Sequence, residues 1–260
     1  MKATALITGA SSGIGLELAK IHASKGDNLV LVARNESSLN KLKEDILKSA
    51  KVDITIICKD LSKLDAAKEL YQEIKSQNLS VNYLINNAGF GDYGFFHESD
   101  WSKTNEMIQL NITALTQLCH LFLPDLIASK NARIMNVASI AAFIPGPLMA
   151  VYYATKAFVL HFSEAIANEL KGTGVIVTAL CPGPTESGFQ LAANLEGSKM
   201  IQGKKFPSSK QVAEYGYKSM MNGKTVAIEG TMNCLMAISA RFTPRNMVAK
   251  IVRNKQDKRN

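Results

Sequence analysis

Ala3-Thr4-Ala5-Leu6-Ile7-Thr8-Gly9-Ala10-Ser11-Ser12-Gly13-Ile14-Gly15 is the stretch whose reading decides the fold. An apolar run closes on a glycine turn, after which Leu16, Leu18, Ala19 and Ile21 take up a helical period, so the segment predicts strand, turn and helix. Glycines let the backbone pass close to a bound phosphate. The helix that follows offers a pyrophosphate its unpaired N–H groups and the positive end of its dipole. A tight strand-to-helix turn without a ligand has the same spacing, and position after the first strand favours the phosphate reading.

Outward from this unit the pattern repeats. Asn28 to Ala33 is a second apolar run, and Arg34 follows at once. At this point of a dinucleotide-binding βαβ unit an acid suits a free ribose 2′-hydroxyl and an Arg suits a 2′-phosphate. Arg34 therefore points to NADP(H). Ser37 to Ser49 predicts a helix and Ile54 to Cys58 a strand, with Asp60 and Leu61 at its carboxyl end. Asp60 either accepts from an adenine amino group or caps a helix running from Ser62 towards Asn78.

Tyr83 to Ile85 leads into Asn86-Asn87-Ala88-Gly89, a turn suited both to holding backbone against a cofactor and to locking strand ends together. A long helical region from about Glu98 to Ser129 contains Asn111, which is either solvent-exposed or buried around a water. Ala132 to Ala138 is a fifth strand closing on Ser139, and Val175 to Leu180 a sixth, ending in Cys181-Pro182-Gly183-Pro184-Thr185. Glu186 to Pro207 has the composition of a mobile lid; Ser208 begins another helix and Thr225 to Ile228 forms a last strand. Regular alternation of strands and helices predicts an α/β fold: one doubly wound parallel sheet with right-handed crossovers.

Between the fifth and sixth strands a helix carries Tyr152-Tyr153-Ala154-Thr155-Lys156. Side chains four apart share a helical face, so Lys156 stands beside Tyr152. A phenol with a pKa of about 10 is a poor proton relay near neutrality unless a positive charge stabilises its phenolate. Lys156 is expected to supply that charge. Tyr153 points about 100° away and is expected to pack.

Composition narrows the class. Of 260 residues, 47% are hydrophobic and 20% charged, and mean hydropathy is +0.01, which suits a globular domain with a large core. Cys58, Cys119, Cys181 and Cys234 lie too far apart for metal or redox pairing and suit buried thiols in a reducing compartment. No run of about 18 apolar residues predicts a membrane span, and the early turn at Thr8-Gly9 leaves no space for a signal peptide. The expected location is the cytoplasm. A formal charge of +8 raises nucleic acid or an anionic membrane as partners. No zinc spacing or aromatic-basic platform supports nucleic acid. Arg253, Lys255, Lys258 and Arg259 suit a frayed solvated tail. Met232, Leu235, Met236, Ile238 and Phe242 suggest either lipid contact or, the favoured reading, packing on the core or a partner subunit.

Taken together these residues resemble the short-chain dehydrogenase/reductase family from Lys2 to about Gly230. The resemblance rests on Thr8-Gly9-x-x-x-Gly13-x-Gly15, Asn86-Asn87-Ala88-Gly89, Asn111, Ser139, Tyr152-x-x-x-Lys156 and Pro182-Gly183, in the family's order. It implies a single Rossmann-type domain of about seven strands. Residues 1–230 would form its dinucleotide-binding and catalytic part, and 231–260 an apolar then basic extension of the same domain. It also implies reversible carbonyl/alcohol interconversion with NADP(H), a small-molecule substrate and a homodimer or homotetramer. By similarity Tyr152 is the general acid, Lys156 lowers its pKa and binds the nicotinamide ribose, Ser139 holds the substrate oxygen and Asn111 holds a relay water. The cofactor would lie against Gly9, Ser11, Ser12, Gly13, Ile14, Gly15, Arg34, Asp60, Leu61, Asn87, Ala88, Gly89, Tyr152, Lys156, Pro182, Gly183 and Thr185. Ile140, Phe143, Ile144, Leu148 and Met149, with Phe189, Leu191 and Leu195, are expected to wall an apolar substrate cleft. An alternative is a dinucleotide-sensing regulator without turnover, which has little need of Ser139, Tyr152 and Lys156 together.

Overall fold

The computed structural model describes residues 2–189, 193 and 205–257. Seven parallel strands form one sheet in the order β3-β2-β1-β4-β5-β6-β7. They are β1 (Thr4–Thr8), β2 (Asn28–Ala33), β3 (Ile54–Cys58), β4 (Tyr83–Asn86), β5 (Arg133–Val137), β6 (Ile176–Cys181) and β7 (Val226–Ile228). The helices are α1 (Gly13–Ser24), α2 (Glu36–Leu47), α3 (Ala66–Ser76), α4 (Trp101–Ile108), α5 (Leu115–Ser129), α6 (Ala150–Glu169), α7 (Ser209–Met221), α8 (Thr231–Phe242) and α9 (Arg245–Gln256). The chain reverses its direction of sheet growth between β1 and β4. That switch point opens a crevice at the carboxyl ends of the strands, where open α/β sheets bind ligands.

Alternation along each strand divides the core in two. Leu6, Val30, Leu84, Ile134 and Val177 face α3, α5 and α6. Ile7, Leu31, Ile85, Met135 and Leu180 face α1, α2 and α7. Both faces are covered, which explains why the strands read as nearly continuous apolar runs.

Several boundaries differ from expectation for local reasons. Asp60 Oδ1 accepts from the Ser62 amide at 3.0 Å and hydroxyl at 2.7 Å, closing a turn, so α3 starts only at Ala66 and Asp60 does not cap it. Between Trp101 and Ser129 a π-helical turn spans Gln109–Ala114 and separates α4 from α5. By length and composition that stretch is enough to cross a membrane, yet Leu115, Leu118, Phe122 and Leu126 pack into the core. Most of the segment expected to act as a lid, including Leu191 and Leu195, lies outside the described residues. Its flanks are tied where Glu186 pairs with Ser208, the residue that caps α7 through a reciprocal bond with Gln211.

The C-terminal segment departs most. Arg253 and Lys255 stand in α9 rather than in a frayed tail, because Val248, Val252 and Gln256 bury one stripe of that helix. Lys258 and Arg259 lie outside the described residues. Of the two forms of packing favoured for α8, on the core or on a partner subunit, the first is not seen: Met232 is 74% exposed and Phe242 84%, with Leu235 and Ile238 also exposed, while Ala237 alone is buried.

Candidate functional site

The turn after β1 is held open for a ligand by its own sterics. Gly9 and Gly13 adopt φ of +66° and +57°, in the left-handed region where a side chain is strained. A Cβ on Gly9 would stand 2.9 Å from Ala88 Cα, and one on Gly15 2.4 Å from the Gly9 carbonyl oxygen. Thr8 and Asn87 lock the strand ends. The Thr8 hydroxyl accepts from the Asn87 and Ala88 amides at 3.0 Å, while Asn87 Nδ2 donates to the Thr8 and Gly9 carbonyls at 3.0 and 3.1 Å. Ser12 precedes α1 without a side-chain cap bond, and no acid occupies the first turn. The amides and positive dipole end of α1 therefore face the cleft without an internal anion, as a pyrophosphate requires.

A cavity of about 670 Å³ begins at this turn and continues along the strand ends. At one end stand Arg34, Lys59 and Asp60. Burial pushes the Asp60 carboxyl up, but the Ser62 hydrogen bonds and the charges of Arg34 and Lys63 hold it below its ordinary value. Arg34 is exposed and, among the described residues, makes no ion pair. Lys59, which sequence reasoning missed, pairs instead with Glu69 at 3.0 Å.

At the other end α6 presents Tyr152 and Lys156. The helix is fixed to the sheet by a buried relay in which Asn86 Nδ2 donates to Asn136 Oδ1 at 2.9 Å and Asn136 Nδ2 to the Ser163 hydroxyl at 3.0 Å. Tyr152 is buried against Phe189, ring centres 5.2 Å apart, with the Ser139 hydroxyl close to its phenol. Ser139 Oγ also accepts from the Ala141 amide at 3.1 Å. Lys156 Nζ lies 5.9 Å from the Tyr152 ring centre and donates to the Val137 carbonyl at 2.8 Å.

The electrostatics correct one expectation. Burial pushes the Tyr152 phenol up to about 12, more than the neighbouring Ser139 hydroxyl lowers it. Burial also pushes the Lys156 ammonium down to about 8, a fall only partly offset by Cys181. Lys156 does not depress the phenol here, because desolvation dominates both groups and the ammonium is directed at the backbone. The consequence is a phenol that keeps its proton through neutral pH and so is set to donate.

Asn111 is buried, and protein partners take up its side chain. Its Nδ2 donates to the Phe90 carbonyl at 2.9 Å and the Thr155 hydroxyl at 3.1 Å, and its Oδ1 accepts from the Phe90 amide at 3.2 Å. Both amide protons are used, so the side chain ties Phe90 to α6, and Oδ1 keeps a second lone pair to accept from a water. A Cβ on Gly89 would meet Asn111 Oδ1 at 2.9 Å and Lys156 Nζ at 3.4 Å, which makes this glycine a spacer between the two.

Of the expected cofactor residues, all line the cavity except Gly15, which packs behind the turn. Thr185 lines it with its hydroxyl donated to the Gly183 carbonyl at 2.9 Å. Ile140, Ile144, Met149 and Phe189 wall the cleft as expected. Phe143 packs into the core instead, and Leu148 faces a neighbouring groove.

The residues that match the short chain dehydrogenase profile are 3–196, three quarters of the chain. This chain belongs to that family. The inactive hydroxysteroid dehydrogenase-like protein 1 of Homo sapiens is 34% identical over 182 residues, covering 68% of this chain and 54% of that protein. The very-long-chain 3-oxoacyl-CoA reductase of Mus musculus is 29% identical over 260 residues, covering 95% and 78%. The chain thus spans between about half and four fifths of the length of these relatives. Among solved structures, a short-chain dehydrogenase from Sphingobium yanoikuyae in complex with NADPH superposes with a TM-score of 0.82 at 29% identity, covering 92% of this chain and 94% of that one.

Within this short chain dehydrogenase, the C-terminal helices form a wall that sequence reasoning missed. Met236, Thr243, Val248, Ile251 and Val252 line the far end of the cavity. Tyr153, expected simply to pack, is the hinge of this wall. Gln256 Nε2 donates to its hydroxyl at 2.7 Å, and Tyr93 donates to the Gln256 carbonyl at 2.6 Å. A side chain on Gly146 would overlap the Tyr153 ring, so the Pro145-Gly146-Pro147 loop lies flat against it. The signal was present in the sequence as Val248, Val252 and Gln256 at four-residue spacing.

Proposed function

We propose that this protein is an NADP(H)-dependent oxidoreductase that interconverts a carbonyl and an alcohol on a partly apolar substrate. The observation that carries the reading is the meeting of Tyr152, Ser139 and Lys156 in the same cavity that begins at the uncapped α1. The cofactor residues fit a dinucleotide: a glycine cradle and bare helix amides suit a pyrophosphate, and Arg34, outside any ion pair among the described residues, suits a 2′-phosphate. When bound, the dinucleotide supplies hydride chemistry.

The chain's own residues do the rest. Tyr152 donates its proton to the carbonyl oxygen in the reductive direction, and its raised pKa keeps that proton available at neutral pH. Ser139 holds the same oxygen by hydrogen bonding. Lys156, whose ammonium burial pushes down to about 8, would offer it to the nicotinamide ribose. Ile144, Met149, Phe189 and Val252 exclude water from the reacting carbon and select an apolar substrate. The name of the mouse relative, a reductase of very-long-chain 3-oxoacyl-CoA, agrees with such a cleft.

The test is a panel of short aldehydes, diketones, 3-oxoacyl thioesters, steroids and retinoids with NADPH and NADH. Oxidation of NADPH with an apolar carbonyl is expected. Tight dinucleotide binding without turnover on any of them would favour the cofactor-sensing alternative, the outcome suggested by the human relative named inactive.

A further inference from the structure

α8 carries two adjoining faces with different surroundings. Met236, Ser239, Ala240 and Thr243 line the cavity. Met232, Leu235, Ile238 and Phe242, at spacings of three and four, form a separate stripe and are 74%, 59%, 56% and 84% exposed. α9 extends the exposed apolar surface with Met247 and Ile251, and Ile251 also stands at the cavity wall. The mouth of the cleft thus opens beside an apolar surface on the outside of the molecule.

Charge decides what that surface fits. Between 231 and 257 the basic residues are Arg241, Arg245, Lys250, Arg253 and Lys255, and Asp257 is the one acid. Asp257 is engaged by Arg253 at 2.8 Å. Arg241, Arg245 and Lys250 are exposed and, among the described residues, belong to no ion pair. A second copy docked through the same face would set these cations against their equivalents, since a two-fold interface pairs a patch with itself. Apolar side chains interleaved with free cations match instead a surface of acyl chains beneath anionic headgroups.

We infer that α8 and α9 dock this protein on an anionic lipid bilayer, with Met232, Leu235, Ile238 and Phe242 entering the interface and Arg241, Arg245 and Lys250 meeting the headgroups. The cleft then opens at the bilayer surface, so a lipid-soluble carbonyl compound passes from membrane to Tyr152 without crossing water. This last step rests on the oxidoreductase reading; the docking does not.

Flotation with vesicles tests the docking independently of turnover. The wild-type chain is expected to float with phosphatidylcholine/phosphatidylserine vesicles, less with phosphatidylcholine alone, and to be released by high salt. Met232→Ser/Leu235→Ser/Ile238→Ser/Phe242→Ser is expected to stay in solution while retaining its circular dichroism and its turnover of a water-soluble carbonyl. Arg241→Gln/Arg245→Gln/Lys250→Gln should weaken binding to the anionic vesicles on the order of 100-fold, because each cation near an anionic surface contributes similarly. Wild-type protein that remains in solution with anionic vesicles overturns the inference. So does equal flotation of the apolar variant, or a wild-type dimer that the same variant converts to monomer without any change in vesicle binding.

Discussion

Replacing Lys156 with methionine should make the protein more stable and nearly inactive. Burial holds the ammonium at about 8 instead of its ordinary 10.5, which corresponds to about 3 kcal/mol against the charged form at neutral pH. Methionine keeps the length and apolar stem of the side chain and carries no charge. It forfeits the 2.8 Å hydrogen bond to the Val137 carbonyl, and leaving that oxygen without its donor costs about 1–2 kcal/mol. The difference is a gain of about 1–2 kcal/mol, or roughly 2–8 °C in Tm for a chain of this size. The pH dependence gives the cause away. Above 10.5 lysine is neutral in folded and unfolded chains alike; as pH falls towards about 8 the unfolded chain takes up the proton first, so the wild type loses stability across that window. Urea unfolding of both proteins at about pH 7 and about pH 9.5 should therefore show a variant advantage that shrinks at the higher pH. A less stable variant at pH 7, or an advantage independent of pH, would refute the claim that desolvation dominates this residue.

The remaining tests address the cleft. Tyr152→Phe should lower turnover on the order of 10²–10⁴-fold with dinucleotide affinity nearly unchanged, as followed by fluorescence titration, because it removes the proton donor and leaves the glycine turn intact. Tyr153→Phe should leave the chemical step in place but cost about 1–3 kcal/mol in denaturant unfolding and raise KM, since it removes the acceptor that pins Gln256 to α6. Arg34→Ala should weaken NADPH binding by about 10- to 100-fold and NADH binding little, the usual loss for a charge-assisted hydrogen bond. Tighter wild-type binding of NADH than NADPH in the same titration would remove Arg34 from the cofactor assignment.

Most of the sheet was legible in the sequence because both of its faces are covered by helices, which forces apolar runs such as Leu29 to Ala33 and closes each at a polar or glycine turn. The glycine turn and the Tyr152 and Lys156 pair were legible for the same reason: the constraint is local, one turn of backbone or one turn of helix. What escaped depends on contacts between distant segments. Asn111 reads identically in the sequence whether it faces solvent or Thr155, and only the approach of α6 decides. The side of the C-terminal helices that lines the cleft was hidden because its anchor, Gln256 on Tyr153, joins residues 103 positions apart. The opposing pKa movements of Tyr152 and Lys156 escaped too, since spacing reveals proximity and says nothing of how much water is excluded.

The π-helical turn at Gln109–Ala114 makes the long rod from Trp101 to Ser129 a device with two phases. A π turn accommodates one residue more than the α-helix around it, so the stripe of side chains beyond it is rotated by about 100° relative to the stripe before it. α5 can thus keep Leu115, Leu118 and Phe122 in step with the sheet while Asn111, a few residues earlier, is swung onto Phe90 and Thr155. An uninterrupted α-helix would have to choose between core and cleft. Shortening this segment by a single residue should therefore be worse for the site than many substitutions within it, because regular helix would be restored and Asn111 turned away from both partners at once.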